Sequence, residues 1–248
     1  MERARLTRYG LLSVSGDDAR EFLHAQLTND IRGLPADRAA LAGWCSAKGR
    51  LLASFLVIPA PHGFVLQVAR DLAAGVAKRL SMFVLRSKVK IADESESWMQ
   101  HGMWDADWVQ PEVSWQGRIV TVRVGERRYL QLGPAAEMTA TPTAGEESWS
   151  LQEIRAGRPL ITSATQDQFV PQMVNLEKLG GIDFQKGCYP GQEIVARAQY
   201  RGQVKRRMVH AHAPAGTRLV PGQDYNGGTV VDAAPAQNGT ELLAVMPL

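Results

Sequence analysis

Several things are scarce in this sequence, and each scarcity excludes something. Its 248 residues hold two cysteines, Cys45 and Cys188. Two cysteines make no disulfide framework, and neither sits in a CxxC or CxxH pair, so a reducing compartment fits. His24, His62, His101, His210 and His212 show no ligand spacing with either cysteine. His210 and His212 fall on one strand face, but two ligands rarely hold a metal, and no metal site is expected. Long apolar runs are missing too. The longest, Leu51 to Ile58, contains Ser54 and is closed by Pro59, whereas a membrane-spanning helix needs about 20 apolar residues. It reads as a buried strand. Met1 to Leu12 carries three arginines and no extended apolar stretch, which argues against a secretory signal and for a cytoplasmic address without membrane contact. There is no P-loop, no GxGxxG after a strand and no serine nucleophile elbow. No repeat of 20–50 residues and no low-complexity tract occurs.

What remains is an ordinary globular composition, 45% apolar and 21% charged. That length buries a large core in one or two domains. Net charge is +3, and its distribution says more than its sum. Asp93 to Glu112 has six acidic residues and no Lys or Arg, whereas Arg197, Arg201, Lys205, Arg206 and Arg207 form a basic stripe without an acid. Such a stripe attracts phosphates, carboxylates or RNA; it is also what a solvated strand face looks like.

Gly10 to Val14 reads as a strand. Ser15 and Asp18 form a capping box, and Phe22, Leu23, Leu27 and Ile31 recur at helical spacing, giving an amphipathic helix over Ser15 to Ile31. Ala39 to Cys45 and Leu51 to Ile58 flank a turn at Ala47-Lys48-Gly49, as in a hairpin. A strand at Phe64 to Val68, a helix at Asp71 to Leu85 and a strand at Val89 to Ala92 complete a split βαβ pattern of ferredoxin-like type. Trp98, Trp104, Trp108 and Trp115 suggest a stacking platform or core packing, and core packing is the stronger reading because large aromatics dominate burial. Ile119 to Val124 and Tyr129 to Leu132 are strand-like. A helix follows from about Trp149 to Ala156, ended by Gly157 and Pro159. Beyond Val209, Val-rich segments broken by Pro, Gly and Asn indicate a small antiparallel β-barrel or sandwich.

The densest stretch, Phe169 to Glu193, contains Gly180, Gly181, Gly187 and Gly191. Such a loop can press backbone N–H groups against a ligand, or it is a tight connector. Cys188 follows Lys186 by two positions, and a nearby cation favours thiolate. A nucleophilic cysteine also wants a histidine base, and none is close in sequence. A buried structural thiol is the alternative.

Lys186-Gly-Cys-Tyr-Pro-Gly-Gln-Glu193 resembles the KGCYxGQE signature of YgfZ-type proteins, relatives of the glycine cleavage T-protein. The resemblance extends through Arg197 and Gly202, back from Gln172 to Asp183, and to Gln26-Leu-Thr-Asn-Asp-Ile31 and Ser46-Ala-Lys-Gly-Arg50. It covers most of the chain. It implies an α+β fold in which two ferredoxin-like α/β parts, residues 1–95 and 96–203, and a C-terminal antiparallel β-barrel, 204–248, form a ring that binds tetrahydrofolate. It places Tyr9 and Trp149 near folate. Arg197, Arg201 or Lys205 would supply cations for the glutamate tail. It makes Cys188 the functional thiol, with Lys186, Gly187, Tyr189, Gly191, Gln192 and Glu193 shaping its loop.

Two departures stand out. The T-protein carries a catalytic Asp shortly after the turn corresponding to Gly49-Arg50, where this sequence has Leu51-Leu-Ala-Ser54; aminomethyl transfer needs a carboxylate there. Arg155 occupies the place of a pterin-binding Glu, and Glu153 falls on another helix face. The resemblance thus implies an accessory protein, partnered with iron–sulfur proteins or radical tRNA-modifying enzymes. A folate-dependent transferase and an RNA-binding module using the stripe from Arg197 to Arg207 are the alternatives.

Overall fold

The computed structural model describes residues 1–107, 111–202 and 204–248. Trp108 lies outside them. The described chain divides into two compact units, each assembled from three stretches. The first comprises Met1–Leu23, Ile31–Ala40 and Leu56–Trp149, the second His24–Asp30, Leu41–Phe55 and Ser150–Leu248. The architecture is mixed α/β, with four helices and antiparallel sheets.

In the first unit, β2 (Tyr9–Ser15) pairs antiparallel with β5 (Gly63–Ala69) and β6 (Lys90–Asp93), and β5 pairs with the end of β4 (Leu51–Ala60). Helix α2 (Arg70–Ser81) turns Leu72, Ala73, Val76 and Leu80 inward, spaced to line one helix face. It stops about four residues short of the expected end, and Phe83 and Leu85 stand exposed beyond it. A second sheet in this unit has the order β1-β7-β10-β9-β8, from β1 (Glu2–Arg5), β7 (Trp98–Trp104), β10 (Arg128–Pro134), β9 (Ile119–Gly125) and β8 (Val113–Gln116). Every pairing in it is antiparallel, and among the described residues no helix lies between β7 and β10. In this stretch β8, β9 and β10 pair in succession and β7 lies beside β10, an antiparallel arrangement rather than a second alternation of strands and helices. Of its tryptophans, Trp104 is buried, while Trp98 and Trp115 are half-buried and the Trp115 indole N–H donates to the Pro59 carbonyl at 2.9 Å.

Helix α1 covers Ala19–Gln26, shorter than the periodicity predicts. Asp18 directly precedes it, and its backbone carbonyl accepts the Phe22 amide at 2.9 Å. Its carboxylate accepts from the Lys88 amide at 2.7 Å, and Ser15 ends β2 instead. The apolar spacing continues to Ile31, yet Leu27 to Asp30 leave the helix, because their polar groups bond elsewhere.

The second unit holds β3 (Ala40–Cys45) beside the start of β4, helix α3 (Glu146–Arg155) beyond Trp149, helix α4 (Gln192–Tyr200) and a four-stranded antiparallel sheet. That sheet has the order β11-β14-β13-β12, from β11 (Arg206–Ala213), β12 (Asp224–Tyr225), β13 (Gly228–Ala236) and β14 (Gly239–Pro247). A bulge between Val230 and Asp232 shifts its register, the device that bends such sheets. Ala213, Val230, Leu242 and Ala244 form its buried face. No helix of the described residues is long and apolar enough to cross a membrane.

Candidate functional site

The motif loop, residues 186–193, is held from several sides, all within the second unit. Lys186 Nζ donates to the carbonyls of His24 and, at 2.5 Å, Leu27. These carbonyls lie at the C-terminal end of α1, where helix carbonyls lack partners and a cation is favoured. The ammonium also stands 5.1 Å from the Tyr189 ring centroid. Asp183 receives the amides of Gln185 and Lys186 at 2.7 and 3.2 Å, and its own amide donates to the Thr28 carbonyl. The Thr28 hydroxyl donates to the Gly181 carbonyl at 2.6 Å and accepts the Gly43 amide at 2.7 Å. Asn29 bridges the Leu41 and Gly180 carbonyls. These bonds explain why Leu27 to Asp30 abandon the helix: their side chains and carbonyls serve the loop more than 150 residues away.

The far end of the loop is fixed by backbone shape. Gly191 has φ +77°, and a Cβ there would stand 2.3 Å from the Ser46 carbonyl and 2.7 Å from the Gly49 Cα. Gly49, with φ +68°, faces it, so the turn between β3 and β4 and the turn opening α4 meet backbone to backbone. The Gln192 side chain accepts the Tyr189 amide, and Glu193 pairs with Arg197 at 3.7 Å on the exposed face of α4. Tyr189 is buried, and burial pushes its phenol well above the usual tyrosine range.

Cys188 is exposed in the middle of this anchored segment. The other thiol is its opposite: Cys45 is buried in β3, and burial pushes it up to about 12. Lys186, read from sequence as a cation for the thiol, is committed to the helix end.

The basic stripe is mostly committed as well. Arg207 donates to Glu177 at 2.6 Å and to Asn175 and the Gln172 carbonyl at 3.1 Å. Arg206 donates to the carbonyls of Gly227 and Val245. Among the described residues, Arg201 and Lys205 have no acidic partner; Lys205 lines an open cleft of about 500 Å³ with Gln199, Gly202 and Arg207.

The aromatic candidates lie in the first unit. Trp149 is 1% exposed, with its ring against Gly102, where a Cβ would stand 2.3 Å away. Trp104 lies 6.2 Å from it, centroid to centroid, and the Arg128 guanidinium 5.7 Å. The ring is a core element, and no broad face is left for a pterin to stack on. Its indole N–H, though, is buried with no hydrogen-bond partner. Tyr9 is buried and lines a cavity of about 200 Å³ with Thr7, Arg70, Ser95, Trp98 and Gln100, smaller than the ~300–1,000 Å³ usual for ligand sites.

Both departures have a structural outcome. Leu51 to Ser54 are buried in β4, and the Ser54 hydroxyl is bonded to the Ile161 amide and the Pro159 carbonyl. The segment carries no carboxylate. Arg155 forms a two-pronged pair with Glu241, which also binds His210 at 2.9 Å. The arginine bond, reinforced by His210, holds the Glu241 carboxyl below the usual range although burial opposes it. Glu153 turns inward and pairs with Arg158 at 3.3 Å, both side chains about nine-tenths buried.

No protein-family model matches the chain. It is 30% identical to the tRNA-modifying protein YgfZ of Serratia proteamaculans over 95% of this chain and 81% of that protein. It is 32% identical to the protein of the same name from Colwellia psychrerythraea over 82% and 69%. Among solved structures, the glycine cleavage system aminomethyltransferase T of Bartonella henselae superposes with a TM-score of 0.76 over 99% of this chain and 78% of that one, at 14% identity. The fold is shared with the aminomethyltransferase and the sequence with the YgfZ proteins: the chain belongs to the YgfZ/GcvT family.

Proposed function

We propose that this protein is a cytoplasmic, tetrahydrofolate-binding accessory factor that supports tRNA modification and the iron–sulfur enzymes behind it, with Cys188 as its functional thiol. The observation that carries the reading is the exposure of Cys188 on a loop whose neighbouring residues are tied down. A buried structural cysteine needs no such scaffold, and functional residues concentrate on loops held by rigid elements. Its relatives bear the name tRNA-modifying protein, and its fold is shared with a folate-family enzyme. Without a carboxylate at Leu51 to Ser54, aminomethyl transfer lacks the group that would handle its proton, which favours an accessory role.

For folate, the orphaned Trp149 indole N–H fits a ring acceptor, because a buried donor without a partner costs about 1–3 kcal/mol until it finds one. Tyr9 would contribute an apolar wall. The test is calorimetric titration with tetrahydrofolate. Saturable binding by the wild type should weaken about tenfold in Trp149→Phe, which removes one hydrogen bond to the ligand while keeping most of the ring. Alanine would instead open a cavity in the core. No saturable binding by the wild type overturns the folate reading. The thiol is tested separately. Cells whose only copy is Cys188→Ser should contain tRNA deficient in modified nucleosides, and wild-type levels would remove Cys188 from the function.

A further inference from the structure

Helix α4 ends on an aromatic side chain that the fold leaves uncovered. Tyr200 is 71% exposed, the most exposed Phe, Tyr or Trp among the described residues. Phe184 meets it edge to face, with ring centroids 5.9 Å apart and planes at 69°. Such a contact occupies at most one face of a ring, so Phe184 steadies Tyr200 and leaves a face to solvent. Two cations stand beside it. Among the described residues, Arg201 and Lys205 have no acidic partner. The open cleft of about 500 Å³ is lined by Gln199 and Gly202, which flank Tyr200 and Arg201 in the chain, and by Lys205. Arg197, one turn back on α4, pairs with Glu193 at 3.7 Å, with both side chains mostly exposed, a pairing that water weakens.

We propose that this end of α4 binds single-stranded RNA, with one base stacked on Tyr200 and the adjoining phosphates on Arg201 and Lys205. The proposal rests on the reading that the protein supports tRNA modification, and it names the surface that touches the RNA. Three features favour this ligand. Every base has a π-face, so an exposed ring beside cations holds a single strand with little regard to sequence. A base stacked inside a duplex cannot reach the ring, so the ligand is an unpaired loop or end of a folded RNA. An open cleft does not bury most of a small molecule's surface, as a small-ligand site does, but it admits a chain that enters at one side and leaves at another. The carbonyls that end α4 carry the negative end of the helix dipole. The attraction for phosphate therefore comes from the side-chain cations. An acidic peptide would answer those cations but would make no use of the flat ring between them.

The test is fluorescence anisotropy of a labelled oligouridylate of about ten nucleotides, titrated with the full chain at several salt concentrations. The wild type should bind saturably, with affinity falling as salt rises. Tyr200→Ala should bind about tenfold more weakly at every salt concentration with the slope unchanged, and Tyr200→Phe, which keeps the ring, should bind like wild type. Lys205→Ala should instead reduce the salt slope by about 0.7, the share of one phosphate on a single strand. Both positions are exposed, so these variants keep the core intact. No saturable binding by the wild type overturns the proposal. So does a Tyr200→Ala variant that binds like wild type, or a blunt duplex of the same length that binds as tightly as the single strand. Displacement of the RNA by polyglutamate at equal charge overturns it as well, because a surface that merely attracts anions would behave that way. None of these measurements uses folate or Cys188, so a failure here is separate from a failure of the folate titration or of the Cys188→Ser test.

Discussion

The motif loop and the basic stripe are neighbours in sequence and both offer polar side chains, yet the fold treats them in opposite ways. In the loop, nearly every polar group is spent on anchorage, and the spending leaves one thiol exposed. In the stripe, the charges themselves are spent: Arg206, Arg207 and Arg197 are bonded to carbonyls and carboxylates, leaving Arg201 and Lys205 for an external anion. A run of charge in sequence is therefore a poor guide to a charged surface. The count that matters is of cations without an internal partner.

Substitutions can break or sharpen this contrast. Arg207→Ala should be the most damaging, because Glu177 is about nine-tenths buried and would lose its cation; a loss of about 3–5 kcal/mol in urea unfolding is expected. Gly191→Ala follows, at about 2–3 kcal/mol, since a Cβ there meets the Ser46 carbonyl in a strained conformation. Lys186→Met should cost about 1.5–3 kcal/mol by stripping two helix-end carbonyls of a charged donor. In contrast, Arg201→Ala should change stability by under about 0.5 kcal/mol but flatten any salt dependence of tRNA binding by about one contact. If Arg207→Ala proved as mild as Arg201→Ala, the distinction between spent and available charge would fall. A milder stability loss than at Arg207 is expected at Arg155–Glu241, where the arginine stays half-exposed. Because the folded Glu241 carboxyl is held low, its contribution is present above the ordinary carboxylate range and disappears as pH falls through the folded value. Wild type and Glu241→Gln should therefore differ by under about 1 kcal/mol at pH 7 and converge in acid.

Much of the fold was legible because it is local. Alternation and turn residues marked β2 to β6, and helical spacing marked α2, since those patterns are set by which face is buried. The octapeptide marked the loop. What stayed hidden depends on contacts far apart in sequence. Helix α1 ends early because Thr28 and Asn29 bond Gly180 and Gly181, and no periodicity reports that. Lys186 looked like a partner for the thiol and is instead a helix cap. Trp149 looked like a stacking face and is closed in by Gly102, Trp104 and Arg128; a glycine in the middle of β7 was the available hint that something large lies on it. Tyr200 carried no signal, because its exposure and its contact with Phe184 exist only after folding.

One sulfur is buried in β3 and the other lies at the surface, so an oxidant in solution meets only the second. A sulfenic acid formed at position 188 would be open to any small thiol that arrives from solution, and left uncaptured would climb irreversibly towards the sulfinate.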